Sequence, residues 1–141
     1  MAEFVGVKYT LFPNSESNLG RQDFVHGRFE WIRLPDEEAP DGIMIAMCTI
    51  DPGKEWPGHN HSGYEQMLYV QAGTGVHWVN GQCRTLSPGT VEYLPVGALH
   101  RVLNTGDVPL THLSVYHPVM PAEVRELALS IQGESKETAS E

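Results

Sequence analysis

Seven histidines are many for a chain of 141 residues, and two of them, His59 and His61, stand one residue apart in the run GHNH. Alternate residues of a β-strand point to the same side, so this pair presents two imidazoles to one point in space. That is a chelating arrangement. A third imidazole can come from His100 in LPVGALHRVLN. There the Pro-x-Gly turn at Pro95 and Gly97 reverses the chain just before the histidine and re-aims it toward the first pair. A nitrogen-rich set with an added oxygen ligand suits a divalent transition metal, one per chain, drawn from Fe, Mn, Ni, Co and Zn. A lone histidine on a strand is more often an ordinary core or surface residue, and it is the joint spacing of the three that carries the metal reading.

Such ligands need rigid strands to hold them. From Phe29 onward the chain alternates short apolar runs, IMIAMCTI (43–50), MLYV (67–70), VHWV (76–79), TVEYL (90–94) and LTHLSVY (110–116), with the turn signals DPG, AGTG, NGQ, SPG and NTGD. Frequent turns between β-branched and aromatic runs predict antiparallel strands, and Asn80-Gly81 supplies the positive φ values of a tight hairpin. The class expected is all-β, a sandwich or barrel. Ahead of it, residues 1–28 read as an arm with turn chemistry in FPNSESNLG. Behind it, PAEVRELALSIQ puts Val124, Leu127, Ala128 and Ile131 on one face of a short helix over 119–132. Residues 133–141 are polar without apolar anchors, the composition of a disordered tail.

Composition removes several partners. Eighteen acidic residues against nine basic ones give a net charge of −9, and no Lys/Arg cluster is present to neutralise a run of phosphates, so neither nucleic acid nor an anionic membrane surface is expected. Cys48 and Cys83 are far apart and outside any CxxC spacing, which suggests two reduced thiols in the cytoplasm rather than a disulfide framework. No segment approaches the ~18 apolar residues of a membrane span, and MAEFVGVKYT has no basic region followed by an apolar core.

At the histidines the sequence resembles the cupin superfamily, whose second motif, G-x5-P-x-G-x2-H-x3-N, is matched at every fixed position by Gly89, Pro95, Gly97, His100 and Asn104. The first motif, G-x5-H-x-H-x(3 or 4)-E-x6-G, is matched by Gly53, His59 and His61 and then departs. Glu65 has the right gap to His61 but lies one residue too far from Gly73, whereas Gln66 fits both gaps and is an amide. The resemblance covers residues 43–118 and implies a double-stranded β-helix, the cupin jelly-roll barrel (29–118), with a metal inside held by His59, His61, His100 and either Gln66 or Glu65. Register favours Gln66, which shares parity with Leu68 and Val70, while Glu65 shares it with Met67, Tyr69 and Gln71. Three imidazoles and an amide are all neutral, so the metal keeps its full double charge and favours an anionic substrate or an acidified water.

Cupin-like strand parity also puts His77 with Val79 and Glu92 with Leu94, inward positions that are usually apolar in this family. Either residue is a candidate general acid or base, against the plainer reading of an outward hydrogen-bonded pair. His26, His112 and His117 lie outside the motifs and read as ordinary surface or strand residues; Asn104 reads as structural, capping the turn NTGD. The resemblance implies a small metal-dependent enzyme, foremost an oxygenase acting on a small organic acid, diketone or aromatic compound. An isomerase or lyase on the same site and a non-catalytic small-molecule binding or sensing module are the alternatives. It further implies a homodimer formed through the outer face of one sheet, to which FVGVKYTLF and FEWIRL could add strands.

Overall fold

The structure, a computed structural model, describes residues 20–34, 43–60 and 63–118. The arm up to residue 19, the helix at 119–132, the tail at 133–141 and His61 lie outside the described residues. Among the described residues the protein is all-β, with ten strands: β1 (Arg21–Phe24), β2 (Gly27–Arg33), β3 (Met44–Ile50), β4 (Glu55–Asn60), β5 (Glu65–Ala72), β6 (Gly75–Val79), β7 (Gln82–Leu86), β8 (Val91–Leu94), β9 (Leu99–Asn104) and β10 (Leu110–His117). No helix among these residues is long and apolar enough to cross a membrane.

Two antiparallel sheets carry the strands, one of six in the order β1-β2-β3-β10-β5-β8 and one of four in the order β4-β9-β6-β7. The larger sheet begins at Arg21, where the β1–β2 hairpin pairs onto β3, so residues 21–28 are already part of it. Between the sheets lies a core that includes Phe24, Phe29, Trp31, Met44, Ile50, Trp56, Leu68, Val70, Leu86, Leu94 and Leu110, all buried. Burial of such side chains, each worth about 1.5–3 kcal/mol, is the main force closing the two sheets on each other.

Turns set the registers that the site depends on. Asn80 (φ 48°) and Gly81 (φ 82°) both take left-handed conformations, the type I′ geometry expected of Asn-Gly, and join Val79 to Gln82 as paired neighbours. The Asn80 side-chain oxygen accepts from the Leu99 backbone N–H at 3.0 Å, and the Asn80 backbone N–H donates to the Leu99 carbonyl at 2.8 Å. The hairpin is thereby tied to the start of β9. Just upstream, Ala98 N–H donates to the Pro95 carbonyl at 3.1 Å with Gly97 at φ 81°, a turn whose third residue needs positive φ. Asn104 closes the other end of β9. Fully buried, it donates to the Ile50 carbonyl (2.9 Å) and the Val108 carbonyl (2.8 Å) and accepts from Gly106 N–H (2.9 Å), knotting three loops together.

The outer face of the six-stranded sheet is unusually apolar. Register aligns Met47, Leu113, Tyr69 and Val91 in one row across β3, β10, β5 and β8, and Ile45, Val115, Met67 and Tyr93 in the next. Val91 and Tyr93 are more than half exposed, and Met67 and Tyr69 nearly so.

Candidate metal centre

His59 reaches the barrel interior because β4 is irregular. Trp56 pairs with Val102 and His59 with His100, and the register shifts between them. In a regular strand residues three apart point to opposite sides; the bulge at Pro57 and Gly58 lets both Trp56 and His59 be buried. The His59 ring lies 4.5 Å from that of His100, centroid to centroid, and its Nδ1 is 2.9 Å from the Pro57 carbonyl. If Nδ1 donates there, the Nε2 lone pair is the one available to a metal. Burial lowers the His59 pKa, with the backbone bond at Pro57 acting against that and His77 adding to it, so the ring is held in the neutral form that ligates.

On β9 the alternation is clean: His100, Val102 and Asn104 point inward. His77, on β6, sits diagonally from His100 across the strand pair, opposite Val102, and is completely buried. Its Nε2 is 2.9 Å from His100 Nδ1, while its Nδ1 makes a short hydrogen bond to Glu92 Oε2. Glu92 is on β8, in the other sheet, so the contact spans the barrel. His77 and Glu92 are therefore a bonded pair facing inward, joined end to end with His100.

Gln66 and Glu65 fall on opposite sides of β5. Gln66 is 3% exposed on the same face as Leu68 and Val70, and its amide donates to Ser114 Oγ at 2.8 Å. Its carbonyl oxygen Oε1 is buried with no hydrogen-bond partner. Glu65 instead accepts from the exposed Tyr93 hydroxyl at 2.5 Å and pairs with His117 at 3.4 Å, on the outer surface. Ser114 also contacts His112 Nδ1 at 3.1 Å, and burial lowers the pKa of His112 to about 3. His112 and Ser114 are thus interior polar residues that the sequence reading passed over. Parity alone does not decide β10, because Leu113 and Val115 on the outward face match Leu110 and Tyr116 on the inward one.

Among the described residues no three His, Cys, Asp or Glu side chains are close enough to hold a metal. The set proposed from sequence differs by one histidine outside the described residues, His61, and by an amide, Gln66. What is present fits a borderline divalent ion. Two buried imidazoles, His59 and His100, lie with ring centroids 4.5 Å apart and planes tilted by 55°, the first with its pKa lowered, and the buried Gln66 carbonyl oxygen is an orphan, an expensive state unless something binds it.

The Cupin domain family matches residues 46–116. Among curated relatives, the oxalate-binding protein of Thermotoga maritima is 31% identical over 91 residues, covering 63% of this chain and 75% of that protein. The glucose-6-phosphate isomerase of Pyrococcus abyssi is 31% identical over 101 residues, covering 62% of this chain and 53% of the isomerase. Across three sugar-phosphate enzymes that it matches, the chain spans between 18% and 63% of their length. Among solved structures, KdgF from Halomonas sp. superposes with a TM-score of 0.68 at 21% identity, covering 82% of this chain and 98% of that one, a likeness of fold.

Proposed function

The chain belongs to the cupin family, and from that premise we propose that it is a metal-dependent enzyme whose barrel binds a small organic acid, with oxygenase chemistry as the reading to test first. The observation that carries this is the polar interior: Gln66, His77, Glu92, His100, His112 and Ser114 are buried where a purely structural barrel would hold apolar side chains. His59, His61, His100 and Gln66 are the residues that would hold one Fe, Mn, Ni, Co or Zn ion. Bound there, such a metal supplies a Lewis-acidic centre with open positions. The protein's own part is electrostatic and steric. Neutral ligands would leave the positive charge uncompensated, which attracts a carboxylate, and the burial of His59, His100 and Gln66 would strengthen that attraction.

The oxalate-binding relative supports the substrate class and also favours a second reading, binding without turnover; the isomerase relative favours a third, rearrangement on the same site. Titrating the metal-loaded protein with oxalate, other small acids and diketones, while recording dioxygen uptake and products, separates them. Binding with dioxygen consumption supports the oxygenase. Binding alone supports the sensor, and turnover without dioxygen supports isomerase or lyase chemistry. No binding of any acid by the loaded protein overturns the reading.

We further propose that the protein is a homodimer paired through the two apolar rows on the outer face of the six-stranded sheet, whose exposed Met67, Tyr69, Val91 and Tyr93 a second copy of the chain would cover.

A further inference from the structure

We infer that Glu92 and His77 are positioning residues for His100, holding it in the Nδ1–H tautomer that leaves its lone pair on Nε2 for a metal. Two contacts link the three side chains. A carboxylate oxygen can only accept, so His77 Nδ1 carries the proton of the short bond to Glu92. In the neutral form of His77 that proton leaves the lone pair on Nε2, and the 2.9 Å contact to His100 is then donated from His100 Nδ1. His100 then has its own lone pair on Nε2. Each proton along Glu92, His77 and His100 is fixed by the one before it, and the chain starts from a residue on the opposite sheet.

Both nitrogens of His77 are committed to these contacts and the residue is completely buried, which gives it no nitrogen to offer a substrate. It therefore acts through His100, not on the reacting atoms. Burying a carboxylate and two imidazoles costs desolvation that apolar side chains of similar volume would avoid, so their retention at inward positions points to orientation of a ligand. The outer partners of ligating histidines have this role generally. The inference rests on the metal reading for its purpose, though the proton arrangement itself does not require the metal.

The test uses 15N-labelled, metal-free protein and long-range 1H–15N spectra of the imidazoles at pH 7.5, together with Co(II) and Zn(II) dissociation constants. In the parent, His77 and His100 should both show the neutral Nδ1–H pattern; an Nε2–H pattern for His100 overturns the inference. His77→Phe should lose the Nδ1–H pattern at His100 and weaken metal binding about 10- to 100-fold. His77→Gln, whose amide oxygen can sit near the place of Nε2, should restore most of both. A folded His77→Phe protein that binds metal within twofold of the parent also overturns it. If the phenylalanine variant does not fold, the parent spectrum and His77→Gln decide. Should the parent bind no metal, the metal reading fails while the spectrum still settles the relay.

Discussion

Acid should destabilise this protein well before its carboxylates titrate, and His112 allows the effect to be isolated. Burial lowers the His112 pKa from 6.5 to about 3, with His77 adding to the shift, and Ser114 is the ring's hydrogen-bond partner. The unfolded chain therefore takes up a proton below pH 6.5 that the folded protein refuses until near pH 3, and stability rises with pH across that window. Above pH 6.5 both states are neutral there and nothing is lost. At pH 5.0 the shortfall is set by the distance from 6.5, about 1.5 units or ~2 kcal/mol, and it is insensitive to where between 3 and 4 the buried ring titrates. That is a large fraction of the ~5–15 kcal/mol of a typical domain. His26, with its pKa lowered to about 4 mainly by burial, adds a loss of the same sign. Urea unfolding of chelator-treated protein at pH 7.5 and 5.0, for the parent and for His112→Leu, is the assay. The variant should be less stable than the parent at pH 7.5, having lost the Ser114 contact, yet should lose ~2 kcal/mol less than the parent on going to pH 5.0. Equal losses in the two proteins would refute the assignment of His112 as a buried neutral base.

Three further outcomes are expected. Gln66→Ala should weaken divalent metal binding roughly 10-fold while Glu65→Gln leaves it within about twofold, read as dissociation constants at one pH and ionic strength; the reverse pattern would place the fourth ligand on the wrong face of β5. Light scattering at micromolar concentration should give twice the chain mass, and Tyr69→Lys with Val91→Lys, both on the exposed apolar rows, should halve it. Asn104→Leu should cost about 3 kcal/mol in chemical denaturation, since the Ile50 and Val108 carbonyls and the Gly106 amide each lose a buried partner.

Much of the architecture was written in local signals. Asn80-Gly81 and the Pro95–Gly97 turn demanded particular backbone angles that few other residues adopt, and the chain follows them. Five strand positions followed from short apolar runs between turns, and on β5 the alternation of Gln66, Leu68 and Val70 gave the buried face because both sides of that choice are set by a period of two. The second motif likewise located His100 at the head of β9 and Asn104 at its end, and Asn104 is the structural knot its amide suggested.

Other features exist only once the sheets have closed. The inward turn of His59 depends on a bulge in β4 that pairing with β9 reveals and sequence periodicity does not. The inward face of β10 carries His112 and Ser114 while Leu113 and Val115 face outward, because apolar side chains can be satisfied by a partner surface as well as by a core, and alternation cannot distinguish the two. His77, Glu92 and His100 come from three strands and both sheets, so nothing in their spacing announces that one proton arrangement links them. Residue type and short-range spacing determined which groups this protein has available; the register and closure of the two sheets decided which of them meet.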